Sequence, residues 1–263
     1  MCCTVWPGEK RALLWRCLLG KKDGSAWLPA GRDAPVGLVA RGARRPRSPL
    51  RGLLQPFQPL GLRYSAKGEL RSLMGAEWLG GVGTPSGDCL LAGFYLNELL
   101  MRLMPREDPH PLLFDAYEAA MNRLSEAGPE VGAVLRWFEC RLLREMGVAP
   151  EFDTVQGMTV EAAGQYALVF GEPVVVANGQ AIAESAGMLV SGQTLLALSR
   201  YDASANGQRL DDMHAEVSLE AKRLLRGLIR HQLGESGLQS RQAMIGLARL
   251  RQRLLGIGSE TPH

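Results

Sequence analysis

No stretch of this chain comes near the roughly eighteen consecutive apolar residues that a membrane-spanning helix needs; the longest candidates, around Leu13–Leu19 and Leu189–Leu198, are both interrupted. The N-terminus lacks the charged, apolar, small-residue order of a secretory signal, with only a weak echo at Lys10–Leu14. A soluble, cytoplasmic protein without membrane association is expected. Cysteine is scarce: Cys2, Cys3, Cys17, Cys89 and Cys140 make an odd set of five with no C-x2-C pair. That excludes a disulfide framework and a tetrahedral thiolate site. The four histidines, His110, His214, His231 and His263, show no metal-ligand spacing. Gly80–Gly87 (GGVGTPSG) lacks the closing G-K-[ST] of a phosphate loop, and Gly187–Gly192 (GMLVSG) is no nucleophile elbow. No catalytic residue, metal or cofactor is therefore expected.

Excess charge is also missing overall, since the net value is only +3. Its distribution is uneven, however. Val36–Ser72 carries eight basic residues (Arg41, Arg44, Arg45, Arg47, Arg51, Arg63, Lys67, Arg71) against the single acid Glu69, and Leu219–Leu254 carries eight against Glu220 and Glu235. Acids such as Glu98, Glu107, Asp108, Asp115, Glu118 and Glu126 balance them in the middle of the chain. Segregation of this kind is what a phosphate-binding surface requires.

The organisation reads as α+β. Residues 1–35 alternate tryptophan, glycine and charge without a period and are expected to have low order. Between 36 and 79, short strand-like runs (Val36–Ala40, Leu60–Tyr64, Glu69–Met74) broken by Gly52, Pro56, Pro59, Gly61 and Gly68 predict a small barrel compatible with an OB-fold. Residues 80–87 form a linker. A mainly helical domain follows over 88–255, with helices near 88–103 (capped by Asp88), 111–125, 130–146 (ended by Gly147), 191–198 (capped by Ser191), 210–232 and 237–255. Within it, 148–184 reads as an irregular insert with one small hairpin, and 256–263 as a tail.

The densest chemistry is LVARGARRPRSPLRGLLQPFQP at Leu38–Pro59. Gly42, Pro46 and Pro49 forbid a helix there, so Arg41, Arg44, Arg45, Arg47 and Arg51 lie on a strand connection that can follow a flexible backbone. Guanidinium forks bind phosphate in bidentate fashion and stack on bases. Aromatics are sparse, with only Phe57 and Tyr64 nearby, and Phe57 is expected in the core. A solvated arginine face is the bland alternative; the strand-and-turn setting and the second basic block weigh against it. On residues alone, an OB-type RNA-binding or ribosome-associated module and an enzyme with an unrecognised site stay open beside DNA binding.

Those residues also carry a resemblance. LVARGARRPRSPLRGLLQPFQPL at Leu38–Leu60, GEL at Gly68–Leu70, AE at Ala76–Glu77, GFYLNELLMRL at Gly93–Leu103, LRWFECRLLREMG at Leu135–Gly147 and LGESGLQSRQ at Leu233–Gln242 resemble, in collinear order, the bacterial RecO recombination-mediator family. The resemblance implies an OB-fold domain joined to a helical domain. It further implies a non-enzymatic DNA repair protein that binds single- and double-stranded DNA, anneals strands coated by single-stranded-DNA-binding protein, and loads recombinase with RecR, being a monomer when free and nucleoid-associated during repair. Carried over by position, the family's DNA-binding segment falls on Arg41, Arg44, Arg45, Arg47 and Arg51; Arg63 and Arg241 are expected to add DNA contacts from the two basic regions. A pocket for the acidic C-terminal tail of the single-strand-binding protein falls on Arg136 with Leu135, Phe138 and Leu142. Residues 1–35 depart from the family's opening pair of strands, so a barrel lacking its first strands is expected. The absence of cysteine from 148–184 matches the family's zinc-free branch.

Overall fold

In the computed structural model, which describes residues 12–13, 25–28, 36–43, 45–65, 71–80, 83–105, 108, 110–126, 130–177, 187–204, 215–234 and 237–246, strands occupy the first third of the chain and helices dominate the rest. Five strands build the first unit: β1 (Ala12–Leu13), β2 (Ser25–Leu28), β3 (Val36–Val39), β4 (Pro59–Tyr64) and β5 (Arg71–Trp78), with the single-turn helix α1 (Leu50–Leu53) between β3 and β4. Their order across the sheet is β1-β4-β5-β3-β2, antiparallel except for the parallel pair β3–β5. This is the five-stranded, partly open Greek-key arrangement of an OB-fold.

Two of those strands fall in the segment expected to be poorly ordered. β1 is two residues long, paired with Leu60 and Pro59, and β2 is four, paired with Val36–Val39. Strands this short carry too few residues to display an alternation, so their partners' registers define them. The barrel thus has the first strands that the sequence pattern did not reveal. β5 is also longer than read, running on to Trp78, because a bulge where Arg63 and Tyr64 meet Leu73–Gly75 breaks its alternation.

Helices α2 (Gly87–Leu103), α3 (Pro111–Ser125), α4 (Val131–Glu145), α5 (Gly192–Ala203) and α6 (Ala215–Leu233) form the second unit, and residues 239–246 are again helical. Local chemistry sets their ends. Pro111 occupies the first turn of α3, where its missing N–H costs nothing. Gly147, at φ +70°, closes α4 while the Val148 N–H donates to the Leu143 carbonyl at 3.0 Å. The Ser191 hydroxyl accepts from the Thr194 N–H and caps α5 as expected. Asp88, expected as the cap of α2, instead lies in its first turn behind Ser86, where its charge suits the helix dipole.

Helix α4 is buried without a break from Ala133 to Cys140, because α2, α3, α5 and α6 all pack around it. Helix α6 contributes one stripe, Ala221, Leu224, Leu225, Leu228 and Ile229, at the spacing of a half-exposed helix. The insert holds more structure than expected: a hairpin of β6 (Thr154–Val155) and β7 (Met158–Thr159), and two strands, β8 (Gln165–Leu168) and β9 (Val175–Val176), that pair with each other and, through β8, with β10 (Met188–Ser191) beyond it. Phe57 joins the two units. Its ring, 1 % exposed, meets Phe94 edge-on at 5.0 Å and lies over Gly93 of α2. That burial holds Phe57 at φ +66°, which costs an L-residue about 1–2 kcal/mol. Among the described residues no helix is long and apolar enough to cross a membrane.

Candidate nucleic-acid interface

Beyond β3 the chain folds as a run of tight turns. The N–H groups of Ala43, Arg45, Ser48 and Arg51 each donate to the carbonyl three residues earlier (Ala40, Gly42, Arg45 and Ser48, at 3.0–3.3 Å). Gly42 makes the first reversal at φ +73°, and the Arg45 side chain folds back against it. Ala43 and Leu54 are buried and pin the segment to the core. Arg41, just ahead of Ala43, and Arg45, Arg47 and Arg51, between the two anchors, are exposed, and among the described residues none is held by a carboxylate. Arg44 lies outside the described residues, as do Lys67, Arg249, Arg251 and Arg253. The result is a ridge of guanidinium groups on a hydrogen-bonded backbone.

Arg63 on β4 is exposed and lies across Gly75, its partner on β5; a Cβ at that glycine would come within 2.9 Å of the guanidinium. Gly75 therefore makes the bed for Arg63. Tyr64 is half-buried beneath Arg71, whose guanidinium stands 5.4 Å from its ring centre. Trp78, at the far end of β5, is 60 % exposed. No sequence signal singled it out, because the strand was read as ending at Met74.

The helical unit presents a second basic region. A cleft of about 210 Å³ is lined by Tyr95, Arg226, Ile229, Arg230, Leu233, Leu238 and Arg241, among others. Arg241 reaches it because Glu98 of α2 captures the start of the 239–246 helix. The Gln239 N–H donates to this carboxylate at 2.9 Å, the Ser240 N–H at 2.8 Å and the Ser240 hydroxyl at 2.6 Å, with Arg102 alongside. Burial alone would raise the Glu98 carboxyl, but these hydrogen bonds and Arg102 outweigh it and hold it below the usual carboxylate range.

Arg136 does not line the cleft. It is 3 % exposed on α4, its guanidinium forked onto Glu139, which also accepts from the Tyr95 hydroxyl at 2.7 Å. Leu135, Phe138 and Leu142 are buried core residues, and none of the three borders the cleft. The reason is geometric. Helical periodicity defines a face of α4 but cannot say that four other helices will cover the remaining faces. The missed residues are Arg226 and Arg230, noted in the sequence only as part of a basic block. Lys222 and Arg226 have their pKa values lowered, first by burial and then by neighbouring cations, Arg226 and Arg136 for the lysine, Arg136 and Arg241 for the arginine. A crowd of cations sharing one carboxylate favours an added anion.

The same two units are what comparison with known proteins finds. Family models described as Recombination protein O N terminal and Recombination protein O C terminal match residues 33–82 and 86–242. The chain belongs to the RecO family. It is 44 % identical over 217 residues to the DNA repair protein RecO of Burkholderia pseudomallei (strain 1710b), covering 82 % of this chain and 74 % of that one. It is 43 % identical over 219 residues to that of Azoarcus sp. (strain BH72), covering 82 % and 85 %, and 42 % identical over 216 residues to that of Laribacter hongkongensis (strain HLHK9), covering 82 % and 84 %. RecO relatives bear the name of a DNA repair protein, not of an enzyme, and a general role in recombination repair follows from membership. Residues 83–85 separate the two matched RecO regions.

Proposed function

We propose that this chain is a recombination mediator that binds single- and double-stranded DNA, anneals complementary strands, and works with RecR to load recombinase on DNA coated by single-stranded-DNA-binding protein. The observation that carries the reading is the ridge of Arg41, Arg45, Arg47 and Arg51, exposed and unclaimed by any described carboxylate. Side chains placed for folding would be buried or paired; these four are exposed and meet no carboxylate among the described residues. Arg63 extends the path on the barrel, and Arg241 on the helical unit. Phosphates bound along such a ridge release counterions, which supplies affinity without reading sequence. Two strands held with their charges screened meet at raised local concentration, and base pairing then provides the free energy, so no covalent step is needed.

The acidic tail of the single-strand-binding protein fits the cleft of Arg226, Arg230 and Arg241, whose apolar floor includes Ile229 and Leu238. Arg136 acts from beneath, adding positive potential rather than a direct contact. The test is annealing of complementary oligonucleotides, bare or coated with single-strand-binding protein, the latter either intact or truncated at its acidic tail. Faster annealing on bare strands, with coated strands responding only when the tail is intact, is the expected result. Preference for structured RNA in direct competition would move the chain to the RNA-binding class instead.

A further inference from the structure

Trp78 is a large aromatic that the fold leaves 60 % exposed. Its ring is tethered at the indole nitrogen. The indole N–H donates to Gln58 Oε1 at 3.0 Å, and Gln58 Nε2 in turn donates to Thr84 Oγ1 at 3.2 Å, while the ring edge lies over Gly80. A scattered surface hydrophobe is ordinary, but one held in orientation by a two-step hydrogen-bond relay presents a fixed flat face.

Its place along the barrel matters as much. β3 runs parallel to β5 only at Leu38–Arg71 and Val39–Ser72. Beyond that pairing the arginine turn departs from the end of β3, α1 with Arg51 packs against β5, and the segment ends at Gln58, hydrogen-bonded to Trp78. The basic turn thus starts beside one end of β5 and finishes at the other. Ser72 to Trp78 spans about 20 Å at the rise of a strand, room for a few nucleotides.

We infer that Trp78 is a stacking platform for an unpaired base of the strand whose phosphates the arginine turn holds; this rests on the DNA-binding reading above and adds to it a preference for single strands. A duplex offers no free base face, so Trp78 contributes only where bases are unpaired.

The test measures binding of a labelled oligothymidine, a duplex, and an abasic deoxyribose-phosphate strand of equal length to the full chain, to Trp78→Ala and to Trp78→Phe. Trp78→Ala should weaken oligothymidine binding by roughly five- to a hundredfold. It should leave the duplex, the abasic strand and the salt slope unchanged, and Trp78→Phe should retain most of the affinity. Unaltered oligothymidine binding by Trp78→Ala overturns the inference, even if capture of a protein partner is lost in its place. Equal loss on all three ligands overturns it too. The two readings fail differently: replacing Arg45 and Arg47 with Ala should weaken all three ligands together, and if it does not while Trp78→Ala still acts on oligothymidine alone, the arginine turn is wrongly assigned and the platform stands. Should the unaltered chain take up no DNA at all, both fall.

Discussion

Two kinds of arginine in this chain are stabilised by opposite means. Arg136 is buried against Glu139, so removing only the carboxylate strands a charge in the core. Glu139→Ala should therefore destabilise the fold by about 3–5 kcal/mol in chemical denaturation, whereas Arg136→Met and Glu139→Leu combined with Tyr95→Phe, which removes the hydroxyl that Glu139 accepts from, should be near neutral. A small loss in the single variant would show that the pair is not desolvated. Arg41, Arg45, Arg47 and Arg51 are exposed, and replacing them with Ala should change stability by less than about 0.5 kcal/mol each. The family resemblance put Arg136 in a partner pocket, and the fold buries it against Glu139, while the outward direction of the turn arginines was legible. Gly42, Pro46 and Pro49 exclude the helix that would have distributed them around a cylinder. What decides the difference is how many elements cover a position, and residue spacing does not contain that number.

At the scale of elements, the C-terminal helical segment packs through Leu238 and Met244, and its first turn is tied to α2 by one carboxylate. Glu98 has a lowered pKa in the fold, so the stability it contributes is present above its unfolded pKa and is lost as pH falls through the folded one. Hydrogen exchange should show residues 239–246 losing protection upon acidification into that range, ahead of α4. Glu98→Gln should show the same loss at neutral pH, and equal protection in both proteins would dismiss the capture. A second prediction concerns the seam between barrel and helices. A Cβ at Gly93 would lie 3.0 Å from the Phe57 ring, so Gly93→Val should cost about 1–3 kcal/mol by overpacking, readable as a lowered thermal midpoint. The helices were largely visible beforehand because each carries its own period, caps and stops. The strands were visible only where they were long enough to alternate, as in β4. β1, β2 and the end of β5 take their definition from pairing, which is a property of two segments at once. Trp78 escaped notice for that reason. The helix expected over 237–255 is described only as far as residue 246, and its remaining arginines lie beyond the described residues.

Across the whole molecule, a net charge of only +3 coexists with two concentrated basic regions, one on the barrel and one beside the helical cleft. Membership of the RecO family was legible because several motifs lie in collinear order along both units; the placement of partners was not, since it depends on surfaces assembled from distant segments. Arg226 of α6, Tyr95 of α2 and Arg241 of the last helix meet only in the folded chain. The central claim is that the barrel's arginine turn is in contact with nucleic-acid phosphate. The most direct measurement is the salt dependence of single-strand binding by the full chain and by a variant with Arg41, Arg45 and Arg47 replaced by Ala. Each lost phosphate contact should flatten the slope of log K against log salt by about 0.7, so the variant's slope should be shallower by about 2, with the fold unchanged. An identical slope in the two proteins would contradict the assignment.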